Sequence, residues 1–185
     1  MSSNYIVNIQ NQFAYAKSLG DKTFEQLKDN EIHWQYNKDS NSISIIVKHL
    51  VGNMLSRWTN FLTEDGEKNW RHRDTEFEDA YTSKAELLVA WEKGWACLFG
   101  AIRPLKEDDL SRIIYIRNEG HTIMEAMYRQ LSHYSFHVGQ IVYVGKMIKG
   151  ENWKSLSIPK NESSNFNEDK FSKEKHRGHF TDGMK

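Results

Sequence analysis

Cysteine, proline, long apolar runs and any excess of charge are all scarce in this sequence of 185 residues. Each scarcity excludes something. Cys97 is the single cysteine, so a disulfide framework is excluded and a reducing compartment suits the chain. Only Pro104 and Pro159 interrupt the backbone, which leaves long stretches free to be helical. No apolar run approaches the roughly 20 residues needed to cross a bilayer. The stretch from Met1 to Gln10 has neither a basic start nor an apolar signal core, so the expected location is cytoplasmic. Basic and acidic residues balance at 25 each, so no global field recruits nucleic acid or an anionic membrane, and neither is expected as a partner. Glycine-rich phosphate loops, serine elbows, paired-carboxylate motifs and repeats of solenoid length are missing as well.

What is present is the composition of a globular chain, 38% hydrophobic and 27% charged. The composition turns polar after Pro159, which divides the chain into a main domain over 1–159 and an extension over 160–185. Four segments carry the helical period and predict an all-α four-helix bundle, with a small β-hairpin before the last helix and a short C-terminal helix. In the first, Ile6, Ile9, Phe13 and Ala16 share a face, Gly20 interrupts, and a separate turn follows from Asp21 to Leu27. The second runs from Ser42 to Leu62 behind Asn41 as N-cap, with Ile43, Ile46, Val47, Leu50, Met54 and Phe61 as its stripe. A long charged loop from Thr63 to Thr82 is expected to pack down through Trp70 and Phe77.

The third helix starts at a capping box from Ser83 to Glu86 and presents Leu87, Leu88, Trp91, Trp95, Leu98 and Ile102 to the core before Gly100 and Pro104 end it. Ser111 to Ile116 is β-rich, and Asn118-Glu119-Gly120 reads as the turn of the hairpin. The fourth helix opens at a second box, Thr122 to Glu125, and closes at Gly150. In the extension, Asn167 can cap a short docked helix reaching His176, with Phe166 and Phe171 as its staple.

The eight histidines sort by these elements. His133 and His137 are four residues apart on the fourth helix, so their side chains share one face, about 40° apart, with Ile123, Met127, Ile141, Val144 and Ile148. Two inward imidazoles are costly without partners, and a divalent cation resolves that cost; a hydrogen bond to a buried Tyr or Asp is the alternative. Tyr134 stands where a zinc-protease motif would need glutamate. His49, at the edge of the second helix's stripe, can supply a third nitrogen or serve as an ordinary boundary histidine. Three protein ligands would leave one position open, whereas structural zinc is usually closed by four. His33, His72, His121, His176 and His179 fall in loops, beside a cap or in the extension, where a tail residue could supply a closing ligand. Cys97, beside Trp95, Leu98 and Phe99, reads as an inert core residue.

At Ser44–Leu50, Arg57–Glu67, Trp70–Asp74, His133–Ile141 and Gly178–Asp182 the sequence resembles the DinB-like damage-inducible superfamily of metal-binding four-helix bundles, in a bacterial branch without assigned activity. The resemblance implies one metal-binding histidine in the second helix and a pair in the last, which map onto His49, His133 and His137. Related members include transferases that use low-molecular-weight thiols such as bacillithiol or mycothiol, and some isomerases and hydrolases. The resemblance therefore implies one divalent metal, zinc or nickel foremost with iron, manganese and cobalt compatible. It also implies a small-molecule substrate or low-molecular-weight thiol, and a thiol S-transferase or hydrolase activity. The alternative is a non-catalytic, stress-associated protein whose ion is structural. A homodimer is compatible with either. No catalytic acid or base stands out; Arg57, Asp65 and Arg73 are candidate substrate contacts, or members of a salt-bridge network fixing the loop.

Overall fold

The computed structural model describes residues 5–78 and 81–182. Among these it is mostly helical, with five α-helices and one two-stranded antiparallel hairpin. The helices are α1 (Tyr5–Gln26), α2 (Ile43–Trp58), α3 (Lys84–Ile102), α4 (Ile123–Lys149) and α5 (Ser163–Phe171); the strands are β1 (Ile113–Ile116) and β2 (Glu119–Thr122). Helix α2 packs along α3 and α1 along α4, while α2 also meets α4 and α1 meets α3. No described helix is long and apolar enough to cross a membrane.

Aromatic side chains tie three of these helices together. Phe24 of α1 meets Trp91 of α3 edge-on at 5.2 Å, and Trp91 meets Trp95 at 5.3 Å. Trp95 then meets Tyr134 of α4 at 5.9 Å. Each such pair adds about 0.5–1.5 kcal/mol beyond the area it buries. Gly20 does not break α1, which runs unbroken to Gln26 and takes in nearly all of the separate turn expected from Asp21 to Leu27. A Cβ at Gly20 would stand 2.6 Å from Cζ2 of Trp91, so the glycine admits the indole rather than ending the helix.

Several boundaries move for local reasons. Ser42, not Asn41, caps α2 by accepting the Ile45 amide, and the helix stops at Trp58 because Asn60 takes φ 49°. The Ser83 hydroxyl accepts the Glu86 amide as expected, but the Glu86 carboxylate takes the amide and hydroxyl of Thr82, so the box closes one residue early. The Thr122–Glu125 box is complete. The hairpin turn is Arg117-Asn118 rather than Asn118-Glu119-Gly120; both residues have positive φ, 57° and 61°, as a type I′ turn requires, while Glu119 and Gly120 belong to β2.

The extension departs furthest. Its helix begins behind Glu162, not Asn167, and ends at Phe171, well before His176. It buries no residue: Phe171 is 84% exposed and Phe166 also faces outward, so the staple does not form. The firmer attachment lies beyond it, where Thr181 is buried and Phe180 meets Tyr15 of α1 edge-on at 5.0 Å.

Candidate metal centre

Helix α2 buries nearly all its inner turns, and His49 sits among them at 5% exposure. On α4 the centre of the inward face is Tyr134, fully buried between Met127 and Val138, so His133 and His137 flank the core instead of pointing into its middle as expected. Tyr134 donates to Oδ1 of Asn53 at 3.1 Å and accepts from Nε1 of Trp58 at 3.0 Å. These bonds fix the rotation of α4 against α2. That rotation turns both histidines toward His49.

The three imidazoles converge. Each offers a nitrogen, and the three atoms lie within 4.8 Å of one another. Nε2 of His49 stands 3.2 Å from Nε2 of His133. Two nitrogens bound tetrahedrally at 2.0–2.1 Å to one zinc ion are about 3.3 Å apart, so this spacing fits a shared ion. Two rings are also aimed from behind. Nδ1 of His49 lies 2.9 Å from Oε2 of Glu76, and Nδ1 of His137 lies 2.7 Å from Oε1 of Gln140. Both oxygens are acceptors, so each Nδ1 is the donor, which turns each Nε2, the nitrogen that would ligate a metal, toward the cluster. His133 has no such partner: its Nδ1 is buried without a hydrogen bond among the described residues.

Glu76 was not singled out by sequence, although it does most to fix His49. Arg71 grips it twice, Nε to Oε1 at 2.7 Å and Nη2 to Oε2 at 2.9 Å. Burial works against the charge on Glu76, but the bonds from His49 and Arg71 outweigh it and hold the carboxyl below its ordinary range. A signal for this was present in Gly52, an interior helical glycine. A Cβ there would stand 2.2 Å from Oε1 of Glu76, so α2 lacks a side chain where the carboxylate lies. The loop thus packs down through Glu76, Lys68 and Arg71; Trp70 and Phe77, expected as its anchors, are exposed.

Burial lowers the pKa of His133 to about 3, helped by the neighbouring His137 and His49 and by Arg71 and Arg57. Burial also lowers that of His137, against the Gln140 hydrogen bond. Both rings are thereby kept neutral, the form that ligates metal.

The histidines floor a cleft of about 330 Å³. Arg57 and Arg73, two of the expected substrate contacts, line it; Asp65 does not. Asp65 instead accepts the amides of Arg117 and Asn118, both at 2.8 Å, and clamps the hairpin turn against the loop after α2. Arg57 is partly absorbed by the loop as well, donating to the Gly66 carbonyl and to Glu67. Phe77 stacks on His49 at 5.2 Å, and Arg73 lies over Phe77 at 5.3 Å. His33, His72, His121, His176 and His179 stand outside the cluster, and among the described residues no acidic or cysteine side chain joins it.

A helical protein with three converging histidines beneath a cleft is the class that fold and site define. The model of a family described as proteins of unknown function, DUF1572, matches residues 1–162, and the chain belongs to this DinB-like family. No curated protein matches it.

Proposed function

We propose that the main domain is a DinB-like four-helix bundle in which His49, His133 and His137 bind one divalent ion at an open coordination position. We further propose that this ion serves a small-molecule reaction, transfer of a low-molecular-weight thiol or a hydrolysis. The observation that carries the reading is the aiming of His49 and His137 by Glu76 and Gln140 toward one point at the floor of a cleft. A bound ion of this kind lowers the pKa of a water or thiol and presents a nucleophile near neutral pH. The protein's own part is to hold three imidazoles together, to keep one side of the site open and to line it with arginines. A purely structural ion would call for a fourth ligand, and none is grouped with the three histidines among the described residues.

The test is a conjugation and hydrolysis screen, with and without added zinc or nickel, beside optical titration of the cobalt-substituted protein. Turnover that needs the metal, or a cobalt spectrum altered by a thiol, supports the reading. A spectrum of closed four-coordinate cobalt that no thiol or substrate alters would leave the ion a structural role.

A further inference from the structure

Resting on the reading of the histidines as an ion site, we infer that its substrate is an anion. It is a small molecule whose carboxylate or phosphate group is held by the arginines of the cleft while its reacting end meets the three histidines. Five guanidinium groups line the cleft, those of Arg57, Arg71, Arg73, Arg117 and Arg129, and no described carboxylate does. They come from four places: α2, the loop after it, the hairpin turn and α4. Behind them stand few counter-charges. Glu67 alone serves three, with Arg57 at 3.1 Å, Arg117 at 3.0 Å and Arg71 at 3.6 Å. Glu76 answers Arg71 while already facing His49.

The remaining two have no ion pair among the described residues. Arg73 rests on the Phe77 ring, and Arg129 lies 3.1 Å from Nε2 of His121. A concave site crowded with one sign of charge focuses its field and draws in the opposite sign. The site also has unanswered hydrogen-bonding atoms. Nε of Arg57 and Oε1 of Gln130 are buried with no partner among the described residues, on residues only 6% and 3% exposed, and both residues line the cleft. A buried polar atom without a partner is costly; an oxyanion answers the Arg57 Nε–H, whereas Gln130 Oε1, an acceptor, calls for a donor such as a hydroxyl on the same ligand.

Guanidinium forks match carboxylate and phosphate alike, so the shared chemistry is an oxyanion. At about 330 Å³ the cleft is at the lower end of small-molecule sites, which fits a compact metabolite and not a polymer. Arg117 supports the assignment from the backbone side. It adopts φ 57°, a conformation rare outside glycine, and Asp65 holds it there with the side chain reaching Glu67 beside the cleft.

The test is calorimetric titration of the full chain with inorganic phosphate and with succinate, metal-free and zinc-loaded, with zinc content measured separately. One of the two anions should bind at one per chain and weaken with salt, and which one binds separates phosphate from carboxylate recognition. Arg73→Gln and Arg129→Gln should each lower that affinity on the order of tenfold, with zinc content and melting temperature unchanged. Binding of neither anion, or binding that both variants retain in full, overturns the inference. Arginine-dependent anion binding in a protein that holds no zinc overturns the ion reading and leaves the anion site standing. Zinc binding without anion binding does the reverse.

Discussion

Replacing Gly52 with alanine sets two physical effects of opposite sign against each other. In a helix interior, Gly→Ala ordinarily stabilises by about 1 kcal/mol. Here the new Cβ would stand 2.2 Å from Oε1 and 2.9 Å from Cδ of Glu76, so the carboxylate must retreat by about an ångström to regain ordinary van der Waals contact. That retreat strains three bonds at once: Arg71 at 2.7 and 2.9 Å and His49 at 2.9 Å. Overpacking costs about 1–3 kcal/mol, and breaking a buried ion pair outright costs about 3–5 kcal/mol. We therefore expect Gly52→Ala to lose about 1–3 kcal/mol net in urea denaturation. Because Glu76 orients His49, zinc affinity measured by competition with a chelator should fall about 10- to 100-fold. A variant about 1 kcal/mol more stable with unchanged affinity would refute the account of Gly52 and Glu76 together.

Three further outcomes follow from the site and the core. In metal-free protein, His133 and His137 resist protonation that the unfolded chain accepts around pH 6.5, so stability should decline as pH falls below that value toward about 3. The slope contributed by each proton is at most about 1.4 kcal/mol per pH unit, and a stability that rose on acidification from pH 7 to 5 would contradict it. Tyr134→Phe should cost about 1–3 kcal/mol by leaving Nε1 of Trp58 and Oδ1 of Asn53 buried without the hydroxyl, a loss that denaturant melts would register. Phe171→Ala on exposed α5 should stay within about 0.5 kcal/mol, whereas Phe13→Ala in the core should cost about 3–5 kcal/mol in the same assay.

The helical segments and the cluster of three histidines were legible because they are written largely in short-range periodicity. Ile6, Ile9, Phe13 and Ala16 recur at the helical period and are all buried. His133 and His137 are one turn apart on an amphipathic helix, and both reach His49. The features that escaped depend on contacts distant in sequence. Gly20 looks like a break until Trp91, far along the chain, is placed against it. Glu76 looks like one more charge in a polar loop until it lies beside Gly52, Arg71 and His49. The staple predicted around Asn167 failed because a cap and two phenylalanines mark where a helix can form, not whether a surface awaits it. Asp65 carries two readings in the sequence, substrate contact or fastener of the loop, because charge alone does not tell a ligand-facing carboxylate from one that holds a turn; its bonds to the Arg117 and Asn118 amides make it the fastener.

The central claim is tested most directly by the metal content of the untagged protein, measured by elemental analysis after exhaustive dialysis and equilibration with one equivalent of zinc. The account predicts one ion per chain, with His137→Ala losing most of it and remaining folded by circular dichroism. Substoichiometric metal in the parent protein, or a full equivalent retained by His137→Ala, would contradict it.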